Sequence, residues 1–170
     1  MRKTTRARKI LPVDLLIENR RCLVVGGGAI AARKAGHLLH AGARVTVVCP
    51  EAGEVVQALA SKRRVRLVRR EFRVEDVRGC TVVFAATDRP AVNRRVLAAC
   101  RARGVLCSAA DANWTRGSFV TPAICRHGGL TVTVSTGGAS CRRARVVKDR
   151  LGEWLTTLDT GIHTSAGQAV

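Results

Sequence analysis

Over most of its length the chain alternates short apolar runs with segments whose apolar residues recur every three or four positions. Arg21 to Val25 reads as a buried strand closed by three glycines; Ala31, Ala35, Leu38 and Leu39 then share one helical face until Gly42. A second β-rich run covers 44–49, a polar helix spans about 51–61, and a third strand lies at 65–68. The rhythm repeats as a strand at 80–86, a helix at 90–103 and a strand at 105–109. Near-continuous apolar strands joined by helical crossovers imply an α/β fold whose parallel sheet is covered on both faces. After Asp111 the pattern changes. Residues 118–125 and 130–135 read as two further strands, separated by His127-Gly128-Gly129 with no helix between, hence antiparallel additions. Gly137-Gly138 opens a last helix running to about 155.

The expected organisation is therefore a Rossmann-like domain at 10–112 and a strand-and-helix region at 113–155. The basic segment 1–9 and the segment 156–170, rich in Thr, Gly, Ser and Ala, are expected to be flexible tails. With 170 residues, 46% of them apolar, the chain is long enough for one sizeable core. No apolar run approaches a membrane span, and the basic start lacks an apolar leader region, so a cytoplasmic protein is expected. The seven cysteines are scattered singly, without a CxxC pair, which argues against a disulfide framework or a zinc ribbon. Most lie in apolar runs, where cysteine acts as a small buried hydrophobe. No His and Cys cluster has metal-ligand spacing, and no metal site is expected.

The net charge of +18 changes the picture, since it predicts attraction to polyanions. With no Tyr, three Phe and two Trp, the chain has too few aromatics for a base-stacking platform, so specific nucleic-acid binding is not expected. An arginine-rich surface without a dedicated patch is the plainer reading of the same number.

Gly26-Gly27-Gly28-Ala29-Ile30-Ala31 fits GxGxxA directly after a strand and at the start of a helix. Gly26 permits the tight turn, Gly28 lets the backbone approach a pyrophosphate, and Ala31 allows close helix packing. The helix N-terminus offers free N–H groups to the phosphates. After the second strand the acid for an adenosine ribose is Glu51, beyond Pro50, which leaves NAD against NADP open; Arg33 and Lys34 are either phosphate contacts or solvated charges. Asp88 is placed to cap the helix that Pro90 begins, and Thr87, at the carboxyl end of a strand, is placed to line a dinucleotide site. Asp111 ends the fifth strand and points into the same crevice, or it is a turn aspartate before Asn113. Ser135, Gly137, Gly138 and Ser140 precede a helix bearing Arg142, Arg143 and Arg145. That is an arrangement for anionic groups such as substrate carboxylates, or a glycine hinge before a solvated helix.

Together, residues 24–34, 42–50, Ala85-Ala86-Thr87-Asp88 with Val92-Asn93, Asp111, Ser118-Phe119 with Pro122-Ala123, and 134–140 resemble the precorrin-2 dehydrogenase family, which includes the dehydrogenase module of siroheme synthase. The resemblance covers about residues 10–153. It implies NAD as hydride acceptor, bound by the glycine turn with Ala29 and Ile30 and by Pro50 and Glu51. It implies Asp111 as the acid-base residue and precorrin-2, a polycarboxylate tetrapyrrole, as substrate. Arg142, Arg143 and Arg145 become candidate substrate contacts, and a homodimer is implied through the strands after residue 113.

The expected reaction is oxidation of precorrin-2 to sirohydrochlorin in siroheme synthesis. Two alternatives stand beside it: a bifunctional dehydrogenase that also inserts ferrous iron into sirohydrochlorin, and a catalytically weak NAD sensor or polyanion-binding protein. Three departures mark the chain. Cys141 stands where the family usually has proline; Ser108-Ala109-Ala110-Asp111-Ala112-Asn113 replaces the usual Asn-Val-Val-Asp-x-Pro; and the helical C-terminal part is shorter.

Overall fold

A computed structural model describes residues 8–162, which form two compact units. One is continuous, Val13–Phe119; the other joins the residues up to Pro12 to those from Val120 onward.

The continuous unit is built on β1 (Arg21–Val25), β2 (Arg44–Cys49), β3 (Arg66–Arg69), β4 (Val82–Ala85) and β5 (Leu106–Ala109). All four pairings are parallel, in the order β3-β2-β1-β4-β5. This is the Rossmann order, and its direction of winding reverses beside β1. Alternate side chains sort to opposite faces, as the pleat demands. Cys22 and Val24 of β1 join Val45 and Val47 in a core with Ala31, Ala35 and Leu38 of α1 (Ala29–His40) and Val56 of α2 (Glu54–Ser61). Leu23 and Val25 face the other way, onto Val83, Cys107 and the Val96, Leu97 and Cys100 side of α3 (Pro90–Arg101). Val24, Val47, Val83 and Val96 are wholly buried, each burial stabilising by about 1.5–3 kcal/mol.

Two local expectations are corrected. α2 begins at Glu54 rather than 51, because the extended Gly53 uses its N–H to reach Gly27 O at 2.9 Å, keeping 51–53 out of the helix. The first of the late strands is Ala123–His127, not 118–125. Ser118 stays with β5, donating its N–H to Cys107 O at 2.7 Å, and Pro122 has no N–H to begin a ladder. A one-turn 3-10 helix, Val74–Val77, was also not anticipated.

In the second unit β6 (Ala123–His127) pairs antiparallel with β7 (Leu130–Val134) as a separate two-stranded sheet, not as additions to the large one. The last helix, α4 (Cys141–Ile162), extends past the expected end near 155. It packs on β6 at a glycine: a Cβ on Gly152 would lie 3.2 Å from Cys125 Sγ. Arg8, expected in a loose tail, donates its N–H to Gly137 O at 3.0 Å. Of the tails expected at 1–9 and 156–170, residues 1–7 and 163–170 lie outside the described residues. The sheet unit runs on to Phe119 and so includes 113–119.

Between β3 and the 3-10 helix, Arg70 grips Asp76 with two hydrogen bonds, 2.8 and 2.6 Å, while Asp76 accepts the Arg73 N–H at 2.8 Å. The Arg70 guanidinium holds the Asp76 carboxyl below its ordinary value of 3.8. A depressed carboxyl stabilises the fold fully above that value and loses the contribution as pH falls through the lower folded value. Asp76→Asn should therefore cost on the order of 1 kcal/mol at neutral pH, allowing for the partly exposed arginine. Urea titrations over a pH series should show the gap between wild type and variant closing in acid; a gap that widens would contradict this account.

Candidate functional site

The carboxyl ends of β1, β2 and β4 surround a cavity of about 570 Å³. Its floor is the glycine turn. Gly26 has φ 127°, in the region open to glycine, and a Cβ there would sit 2.3 Å from the Ala86 carbonyl oxygen. Gly26 N–H donates to Val48 O, and Ala86 N–H to Val25 O, so the turn is stitched to both neighbouring strands. Gly27, merely the variable position of the fingerprint, is as constrained: its Cβ would fall 2.1 Å from Glu51 O and 2.9 Å from Cys49 Sγ. Gly28 differs, since nothing lies within 4 Å of its missing side chain. It is the N-cap of α1, whose first turn has no side-chain cap and no acidic residue. A bare helix start beside open space fits the pyrophosphate of a dinucleotide.

The structure brings Gly26, Gly28, Ala29, Ile30, Pro50, Glu51 and Thr87 together around this one cavity. Glu51 is exposed at the rim. Arg33 and Lys34 do not line it. Lys34 is instead buried on the inner face of α1, its ammonium 5.0 Å from the centre of the Phe84 ring, so the candidate phosphate contact at 34 is corrected. The Asp88 cap is corrected too: Arg89 is the N-cap of α3, with no side-chain cap bond. Pro90 at N1 forces the residue before it into an extended conformation, which places the helix boundary at 89.

Sequence reasoning missed part of the wall. Glu71 and Phe72 line the cavity from the loop after β3, Arg89 from the N-cap of α3, and Val92 and Arg95 from α3 itself. Phe72, a single aromatic within a charged run, was the available signal. Arg89 and Glu71 pair at 2.9 Å, both largely exposed, a contact worth little energetically that sets the charges of the rim.

Asp111 is half-buried and does not itself line the cavity, but its neighbour Ala110 does. Its Oδ2 accepts a 2.8 Å hydrogen bond from Asn93 Nδ2. Asn93 also joins Thr87: Oδ1 accepts from the Thr87 N–H at 3.1 Å and from Thr87 Oγ1 at 2.8 Å, and Nδ2 donates to Thr87 O at 3.0 Å. The thiol nearest the turn, Cys49, is pushed up by burial and serves as packing.

The other sequence candidates belong to the second unit. Ser140 Oγ accepts the Arg143 N–H at 3.1 Å, capping α4, which begins at Cys141 where proline is usual. Ser135 Oγ accepts the Gly137 N–H at 3.2 Å. Gly137 and Gly138 both have positive φ, 59° and 84°. The Cβ direction of Gly137 is filled by the Arg8 backbone, 2.4 Å away, so the chain crossing requires a glycine here. Arg142, Arg143 and Arg145 are exposed.

The family described as putative NAD(P)-binding matches residues 14–123. Among solved structures, "SirC, precorrin-2 dehydrogenase" superposes with a TM-score of 0.73 at 30% identity, over 85% of this chain and 70% of that one. The chain belongs to the precorrin-2 dehydrogenase family. It is also 40% identical over 141 residues to a siroheme synthase of Methylococcus capsulatus and 39% identical to siroheme synthase 2 of Cronobacter sakazakii. In each case 83% of this chain is matched. The chain spans only 30% and 31% of the length of those two relatives. Among the described residues, no helix of this family member is long and apolar enough to cross a membrane.

The glycine geometry separates folding from binding. Gly28→Ala should fold with thermal stability within a few degrees of wild type, because its Cβ meets nothing, yet lose dinucleotide affinity by about tenfold or more, because the Cβ enters the phosphate space. Gly27→Ala must displace backbone and should lower the melting temperature by roughly 4 °C or more. Thermal unfolding with calorimetric titration of the dinucleotide checks both; equal effects of the two substitutions would refute the distinction.

Proposed function

We propose that the protein oxidises precorrin-2 to sirohydrochlorin, with NAD as the acceptor, in siroheme synthesis. The observation that carries this reading is the position of Asp111, one residue beyond a lining residue of the dinucleotide cavity and just past the carboxyl end of β5, an edge strand of the parallel sheet. Kinship with a precorrin-2 dehydrogenase supports the substrate. When bound, the nicotinamide supplies a hydride acceptor.

The chain's own residues do the rest. Gly26 and Gly28 give the pyrophosphate its approach, and the open first turn of α1 receives its charge. Ala29 and Ile30 line the turn, and Pro50 and Glu51 form the rim on the ribose side. Glu51 favours a free 2′-hydroxyl over a 2′-phosphate, because a carboxylate accepts from the former and repels the latter. Asp111 takes the proton that the macrocycle releases when one C–H bond gives up its electron pair as hydride, so charge and atoms balance. Ser135, Gly138 and Ser140 with the exposed Arg142, Arg143 and Arg145 receive substrate carboxylates. The molecule acts as a cytoplasmic homodimer formed through the unit that carries β6, β7 and α4.

The test is NADH formation from NAD and enzymatically generated precorrin-2. Asp111→Asn should reduce kcat by at least about a hundredfold, the usual scale of a lost general base, with dinucleotide affinity kept. A variant with full kcat would remove Asp111 from the mechanism, and a wild type that binds NAD without turnover would remove the reaction. Glu51→Ser should narrow the preference for NAD over NADP by about tenfold, read as the ratio of the two kcat/KM values; an unchanged ratio would place the choice elsewhere.

A further inference from the structure

We infer that Asn93 is a positioning residue of this site: held by Thr87, its side-chain amide fixes the orientation of the Asp111 carboxylate. The inference rests on the reading of Asp111 as proton acceptor and names what aims it.

Asn93 sits one turn into α3, on the face that otherwise contributes Val96, Leu97 and Cys100 to the core, and it is wholly buried. An amide in such a place costs free energy unless every polar atom is met. Here all are. The two lone pairs of Oδ1 receive the Thr87 N–H and hydroxyl, and the two hydrogens of Nδ2 go to Thr87 O and Asp111 Oδ2. The backbone N–H of Thr87 can only donate, so it fixes Oδ1 on its own side and turns Nδ2 toward Asp111. The amide cannot flip without setting N–H against N–H and carbonyl against carboxylate.

Helix formation does not require this residue. The α3 cap uses no side chain, and Pro90 sets the boundary. A side chain at this depth leans back toward the helix start, which is how Asn93 reaches the end of β4. Thr87 lines the dinucleotide cavity, so a single amide joins the cavity wall to the carboxylate, two groups that must be in register for hydride and proton to leave one substrate. A leucine of similar size would fill the volume and satisfy none of these groups.

The experiment compares Asn93→Ala and the isosteric Asn93→Asp with Asp111→Asn and with the double variant Asn93→Ala/Asp111→Asn. The readouts are kcat, KM for precorrin-2 and calorimetric dinucleotide affinity. Either Asn93 variant should lose about 10- to 100-fold in kcat, the scale of a misplaced catalytic group, with KM and dinucleotide affinity within about threefold of wild type. The double variant should be no slower than Asp111→Asn alone, because an aiming residue has nothing left to aim.

Loss confined to dinucleotide affinity with kcat intact would make Asn93 part of the cavity wall only and overturn the inference. So would independent, multiplying losses in the double variant. Failure of both Asn93 variants to fold would assign the residue to the scaffold and overturn it as well. Full activity in Asp111→Asn would instead sink the reading of Asp111, a result distinct from any of these.

Discussion

The architecture depends on the absence of side chains where β1 ends. Gly26 and Gly27 lie against the carbonyl oxygens of Ala86 and Glu51 at separations that no Cβ tolerates. The first strand can therefore leave the sheet between β2 and β4 and turn directly into α1. Two strand ends press on the turn from opposite sides, and the pressure leaves one direction free, outward from Gly28. The cavity is what remains once those two approaches have been made. Its position at the reversal of winding follows from the strand order, since helices cover opposite faces on either side of β1.

Other elements bring chemistry to that opening. Arg70 and Asp76 close the loop after β3 upon itself, holding Glu71 and Phe72 at the wall. Pro90 ends the loop after β4 by restricting the residue before it. Thr87 is left outside the helix, where its hydroxyl can serve Asn93. The carboxylate on the far side of that amide belongs to the loop after β5, so two strand ends and the first turn of α3 meet in a hydrogen-bonded chain of three side chains. The positive charge of the protein acts on a different scale. It raises the local concentration of a polyanionic ligand without selecting among polyanions.

What was legible in the sequence is what local periodicity encodes. The strand, glycine turn and helix from Arg21 to His40 announce themselves through an apolar run, a fingerprint and a helical repeat, each within a dozen residues. The parallel sheet followed from such units in series, and the convergence of Gly26, Gly28 and Thr87 on one cavity follows from their place at strand ends. Features set by competition between neighbours were not legible. Asp88 is a good capping residue in isolation, but the proline two positions later assigns the cap to Arg89. The β-rich composition of 118–125 is overridden by the bond from Ser118 to β5 and by Pro122, so pairing starts at Ala123. Asn93 was visible as a motif residue without a role, because its partner lies 18 positions away across the sheet. Nor does anything local reveal that the Arg8 backbone crosses Gly137.

That crossing bears on how the chain assembles. The sheet unit is one uninterrupted stretch, and every pairing within it can be completed as soon as Phe119 exists. The other unit is split, with Arg8 bonded to Gly137 and the whole sheet unit lying between them in sequence. Its N-terminal piece finds its partner only 129 positions later in the chain, at Gly137 (137 − 8). Closing so long a loop is cheap once the intervening residues are already compact and costly while they are still a free chain. The connectivity thus sets an entropic cost: bringing Arg8 to Gly137 costs least when the continuous unit between them is already compact.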